Sequence, residues 1–126
     1  MRRLLVLGLG CQLLGAAAAQ AQTWTPLAVT GPETIFYDPA TVTRANGVVT
    51  AVMRAEFNPP QASGSVMVSA MVEKMSINCA GNVYSDLGNV AYDAAGAVLW
   101  NQPASGAVKP ITPGSGASAI HAKVCQ

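Results

Sequence analysis

The side chains able to do chemistry are few and far apart. His121 is the single histidine of the 126-residue chain, three residues after Ser118 and six after Ser115. An imidazole beside a serine hydroxyl is the pair that activates a nucleophile. Here no G-x-S-x-G surrounds either serine, and Gly114-Ser115-Gly116 reads instead as a turn into a helix capped by the Ser115 hydroxyl. Six carboxylates, Glu33, Asp38, Glu56, Glu73, Asp86 and Asp93, stand singly. None forms a D-x-D or E-x-x-H pattern that would converge on one metal. Asn82, Asp86, Asn89 and Asp93 carry the oxygen ligands of a calcium loop, but they fall on an expected strand. Asp38, followed by proline, reads as a turn residue. The sequence therefore assigns no catalytic, cofactor-binding or metal-binding residue, and the expectation is a protein that is not an enzyme.

The three cysteines, Cys11, Cys79 and Cys125, sort by compartment. Arg2 and Arg3 followed by an apolar run from Leu4 to Leu14 make the first part of an export signal, and Ala19-Gln20-Ala21 is a signal-peptidase triplet. Cleavage is expected between Ala21 and Gln22, so that residues 1–21 are removed and 22–126 form one domain. Cys11, after Gly10, offers the alternative of a lipoprotein signal. The apolar run before it is about seven residues, at the short end for such a segment, and continues past it. Cys11 is read as part of the leader, without a lipid anchor. Cys79 and Cys125 then remain as a lone pair in an oxidising compartment, where a disulfide is the expected state. A metal site would need more ligands than one histidine can add.

Removing the 21-residue leader from the 126-residue chain leaves 105 residues, five Lys and Arg, and six Asp and Glu. A net charge of about −1 without a basic cluster argues against binding nucleic acid. No second apolar run reaches the roughly 18 residues of a membrane-spanning helix. Yet 51% of the full chain is hydrophobic and only 10% charged. That is high for a small sheet protein with one face in water, and exposed apolar surface of this kind marks protein contacts, homodimerisation included.

The elements that must position these residues are mostly strands. Thr23 to Val29 reads as a first strand, with Pro26 favouring an edge or a bulge. Thr34 to Asp38 reads as a second, followed by a short extended piece around Val42 and an Asn46-Gly47 tight turn. From Val48 to Phe57, Val49, Ala51, Met53, Ala55 and Phe57 fall on one face in the two-residue period of a half-buried strand. Asn58 to Ser65, with two prolines and a glycine, reads as a loop. Val66 to Asn78 returns as a strand that puts Met75, Ile77 and Cys79 on one side. The same parity places Met67, Met71 and Met75 together, most simply as core. Val83 to Tyr92 is a fifth strand with a break at Gly88-Asn89, and Ala97 to Trp100 a sixth. Residues 101–112 read as a surface loop. Ala117, Ile120 and Val124 then make the apolar stripe of a closing helix. The expected class is α+β: one antiparallel sheet of about six strands, with the C-terminal helix packed on one face and tied by Cys79 and Cys125.

The order of several segments carries a resemblance. A tryptophan soon after the leader is followed by IFYDPATV, RANGVVTAVMRAEF, SINC, GNVY and PITPGSGASAIHAKVC. In this order the mature chain resembles the bacterial surface-adhesin protein E family over essentially its whole length. The resemblance implies a six-stranded antiparallel sheet with a disulfide-tethered C-terminal helix. The namesake of that family is an outer-membrane lipoprotein that binds host matrix and serum proteins and dimerises. By resemblance, then, this chain is an exported, non-enzymatic module of a Gram-negative envelope, contacting host or envelope proteins. The alternative is a periplasmic module for a small ligand or an envelope partner, with no adhesive role.

Overall fold

Val49, Ala51, Met53 and Ala55 are buried while Thr50, Val52 and Arg54 between them are half-buried and Glu56 is exposed. That alternation places one strand between two layers of unequal burial, and the rest of the chain is laid out around it. The computed structural model describes residues 22–126; the expected leader, with Cys11 and Ala21, lies outside the described residues. The elements are β1 (Thr25–Thr30), β2 (Glu33–Tyr37), a 3-10 turn (Pro39–Thr41), β3 (Thr43–Ala45), β4 (Val48–Ser63), β5 (Val66–Asn78), β6 (Val83–Tyr92), β7 (Val98–Pro103), β8 (Val108–Pro110) and the helix α1 (Gly116–Val124). All pairings are antiparallel, in the order β1-β2-β4-β5-β6-β7, with β3 added to β4 and β8 to β6.

Where the sequence and the structure differ, hydrogen-bonding demand gives the reason. The stretch expected as a loop, residues 58–65, mostly continues β4. Pairing lapses between Glu56 and Gln61 and resumes through Gln61↔Val68, Ala62↔Met67 and Ser63↔Val66. Residues 57–60 thus stand opposite Ser69 alone, and a bulge of that size needs no N–H from Pro59 or Pro60. The expected surface loop at 101–112 instead carries the end of β7 and then β8. Pairing with β7 stops at Gly88, which leaves the edge of β6 open at Val83 to Ser85, and β8 fills it. The extended piece expected around Val42 becomes the 3-10 turn followed by β3. These two three-residue strands raise the count from about six to eight without changing the class. Of the methionines placed together in the core, Met75 is fully buried and Met71 half-buried, but Met67 is exposed because it lies on the hairpin arm beyond the bulge.

The core lies between one sheet face and α1. Ala117, Ile120 and Val124 are buried against Ile35, Met53, Ala51, Met75 and Ile77. Two details seat the helix. Gly116 approaches so closely that a Cβ there would meet Ile35 Cδ1 at 3.0 Å and Met53 Sδ at 3.3 Å. At the other end Arg44 of β3 donates from Nη2 to the Val124 carbonyl at 2.8 Å, meeting one of the acceptors a helix leaves unpaired. Cys79, just past β5, is bonded to Cys125, just past α1, across 46 residues of sequence.

Cross-linking a loop of 46 residues contributes about 4 kcal/mol in the chain-entropy account. The Cys125→Ser variant is expected to melt well below the native protein, by more than about 10 °C for a domain of this size. Calorimetry checks it, and equal melting temperatures would count against the tether.

Candidate functional site

The two faces of the sheet offer different chemistry. The face away from α1 has no helix over it among the described residues. Across it the register sets Phe36 beside Arg54, Arg54 beside Val72, and Val72 beside Val90. With Val52 and Tyr92 these make a patch of half-buried apolar side chains. Arg54 Nε donates to Glu56 Oε2 at 2.8 Å, with the two side chains 26% and 48% exposed. A pair that open to solvent contributes little to stability. Beside it lies a groove of about 610 Å³ bordered by Thr34, Arg54, Glu56, Ser69, Tyr92 and Asp93, with Ala70 also lining it. Ser69, opposite the β4 bulge, has a buried Oγ with no hydrogen-bond partner.

The helix-bearing face carries a polar cluster over β5, β6 and β7. Glu73 and Asp86 are 7% and 6% exposed and lie close together on neighbouring strands, with Met75 of β5 opposite Asp86. Gly88 N donates to Asp86 Oδ1 at 2.6 Å, and Asn89 Nδ2 donates to Asp86 Oδ2 at 2.8 Å. Trp100 Nε1 of β7 donates in turn to Asn89 Oδ1 at 2.7 Å. A bulge in β6 brings these groups together. Met75 stands opposite Asp86 but Glu73 opposite Asn89, so β6 has one residue more than β5 in that interval. The extra residue turns Asn89 to the same face as Asp86, and Gly88 adopts φ +127° to allow it.

The residues singled out in the sequence are dispersed. Ser115 Oγ accepts from Ser118 N at 3.2 Å at the start of α1. His121 Nε2 lies 3.3 Å from the Cys79 carbonyl, next to the disulfide, and makes no hydrogen bond with Ser115 or Ser118. Asp38 Oδ1 accepts from Ala40 N at 3.0 Å in the 3-10 turn. Of the four oxygen-bearing residues weighed as a calcium loop, only Asp86 and Asn89 touch. Asn82 stands before β6, and Asp93 after it accepts from Ala95 and Ala97 N–H at 2.9 Å. Among the described residues no three His, Cys, Asp or Glu side chains converge. Gln22 is exposed near the start of the described residues. Glu73 is the residue that sequence reasoning missed, since Asp86 is 13 positions away across the turn between β5 and β6. The break at Gly88-Asn89 was the available signal.

The family model described as Surface-adhesin protein E matches residues 24–126. The chain belongs to the surface-adhesin protein E family. No curated protein and no solved structure matches it.

In this surface-adhesin E member the paired carboxyls hold one proton between them. Burial pushes Glu73 up to about 8, helped by its hydrogen bond to Asp86 and by the charge of Asp86, while Lys109 opposes the shift. Burial also works against ionising Asp86, but its bonds with Glu73, Gly88 N and Asn89 outweigh that and hold it below the usual carboxylate range. Tyr84 is raised as well, by burial first and then by Glu73.

Between pH 4.5 and about 8 the native chain holds a Glu73 proton that the unfolded chain has lost. Stability therefore falls as pH rises across that window. Glu73→Gln keeps the hydrogen bond without the charge. It is expected to flatten this fall and to be more stable than the native protein at pH 8, by up to about 3 kcal/mol. Urea titrations at pH 5 and pH 8 check it; parallel pH profiles for the two proteins would refute the shared proton.

Proposed function

We propose that this chain is an exported, non-enzymatic binding module of the surface-adhesin type, which meets a protein partner on the open sheet face. The observation that carries the reading is the patch of Phe36, Val52, Val72, Val90 and Tyr92, left without a covering layer among the described residues. Apolar side chains held on a rigid sheet are already in place for binding, so little ordering cost opposes association. The partner is a host or envelope protein, and a second copy of this chain fits the same surface. Membership of the surface-adhesin E family supports the reading, as does the absence of a helix long and apolar enough to cross a membrane among the described residues. Export with the leader removed places the mature protein in the periplasm or on the outer surface.

A second reading, a site for a small ligand, is favoured by the groove beside Arg54, where the unpartnered Ser69 Oγ lies among the lining residues. A buried hydroxyl without a partner costs free energy that a bound polar group would recover.

Protease added to intact cells is expected to cleave the protein, and Val72→Lys is expected to abolish binding to immobilised matrix proteins while leaving the melt cooperative. Protection until the outer membrane is opened would exclude direct adhesion. Binding unchanged in Val72→Lys would move the contact off the open face, and binding lost in Ser69→Ala alone would favour the groove.

A further inference from the structure

We propose that the groove beside Arg54 is a binding site for a short neutral saccharide. The proposal rests on the small-ligand reading of that groove and names its ligand class. One row of the ladder builds the hollow. Thr34 of β2, Glu56 of β4, Ala70 of β5 and Tyr92 of β6 stand side by side on the open face. Ala70 has the smallest side chain of the four. The row therefore dips between Glu56 and Tyr92, each one strand spacing of about 5 Å away. The turn after Tyr92, where Gly96 N donates to the Asp93 carbonyl at 3.0 Å, adds an end wall. The volume of about 610 Å³ lies within the range of about 300 to 1,000 Å³ usual for small-molecule sites.

The charges along the groove fit a ligand without net charge. Arg54 Nε is bonded to Glu56 Oε2, so each group offsets the other's field. Asp93 Oδ1 already accepts from the Ala95 and Ala97 N–H groups. An anion would meet two carboxylates against one guanidinium that is already paired. A cation would find one carboxylate neutralised and the other partly satisfied. Yet each group keeps polar atoms for another molecule. The Arg54 Nη nitrogens, Glu56 Oε1 and Asp93 Oδ2 make no hydrogen bond with the protein among the described residues. Ser69 Oγ, without a partner, lines the same groove.

That set of groups matches what a sugar presents. A guanidinium only donates and a carboxylate only accepts, whereas a hydroxyl does both. Adjacent ligand hydroxyls can accept from the Arg54 Nη nitrogens and donate to Glu56 Oε1 or Asp93 Oδ2. Hydrogen bonds to ionised groups of this kind are the stronger ones. Tyr92, half-buried on the groove wall, supplies the apolar side. The face of an aromatic ring is negative, and the C–H groups on one side of a pyranose complement it. An alkyl chain in the same place would desolvate Arg54, Glu56 and Asp93 and return no hydrogen bond.

Amide shifts of the mature protein, followed by NMR as cellotriose, maltotriose or chitotriose is added to about 10 mM, test the site. At least one of these sugars is expected to shift the Ala70, Tyr92 and Asp93 amides saturably. Nuclear Overhauser contacts are expected from the Tyr92 ring to sugar C–H protons. Glu56→Ala and Tyr92→Ala are each expected to weaken binding at least about tenfold. Should Tyr92→Ala not fold, the ring contacts in the native protein and the Glu56→Ala affinity decide. Saturable shifts confined to other amides, or affinity unchanged in these variants, would overturn the proposal. Silence from all three sugars would overturn it too, and spermidine and citrate at the same concentration then separate the readings. Shifts of the same amides by either would keep the groove as a site for a charged small ligand. No shift by either would remove the small-ligand reading as well.

Discussion

A helix of nine residues has no independent stability in water, and the fold depends on the bond that holds this one down. α1 supplies only three fully buried side chains to the core, Ala117, Ile120 and Val124. Over a sheet this wide they could not retain it by burial alone, given the entropy of ordering the chain. The link from Cys79 to Cys125 converts docking into a local event, because it keeps the end of the helix beside the end of β5. The Arg44 bond to the Val124 carbonyl and the close approach at Gly116 then fix its position at each end. Together these contacts form the layer without which Ile35, Met53, Met75 and Ile77 would face water.

The faces of the sheet follow from that single layer. The closest approaches of α1 are to β1, β2 and β4, and beyond Met75 and Ile77 the same face, from Glu73 of β5 across β6 to β7, manages burial by other means. It does so with the Glu73, Asp86, Asn89 and Trp100 network, a polar solution in which each group needs its neighbour. The opposite face has no such network. Its valines, Phe36 and Tyr92 remain half-buried, with no layer over them among the described residues, which is why it is the surface proposed for partner contact.

Much of this was legible in the sequence wherever a pattern extends over many residues. The alternation in β4 and β5 gave their faces, and the 3-4-7 spacing of Ala117, Ile120 and Val124 gave the buried stripe of α1. What could not be read were features set by pairing rather than by pattern. β8 has three residues and no periodicity, and it exists because β6 has an unfilled edge. The continuation of β4 past Pro59 and Pro60 depends on a bulge that dispenses with their missing donors. The bond from Asn89 to Asp86 depends on the β6 bulge, since an unbroken register would have set Asn89 on the other face. A residue-type search sees single acids at 73 and 86, and only the ladder makes them neighbours.

The lapse between Glu56 and Gln61 has a mechanical meaning. Beyond it, Gln61 to Ser63 and Val66 to Val68 pair only with each other, since β2 ends opposite Phe57 and β6 ends opposite Ala70. Their alignment is set by the two-residue Gly64-Ser65 turn, with Gly64 at φ +61°, and not by the sheet. The molecule therefore has two separate clocks of register, one for the body and one for the arm. A residue inserted or removed at the lapse would be absorbed there, leaving both ladders in step with themselves.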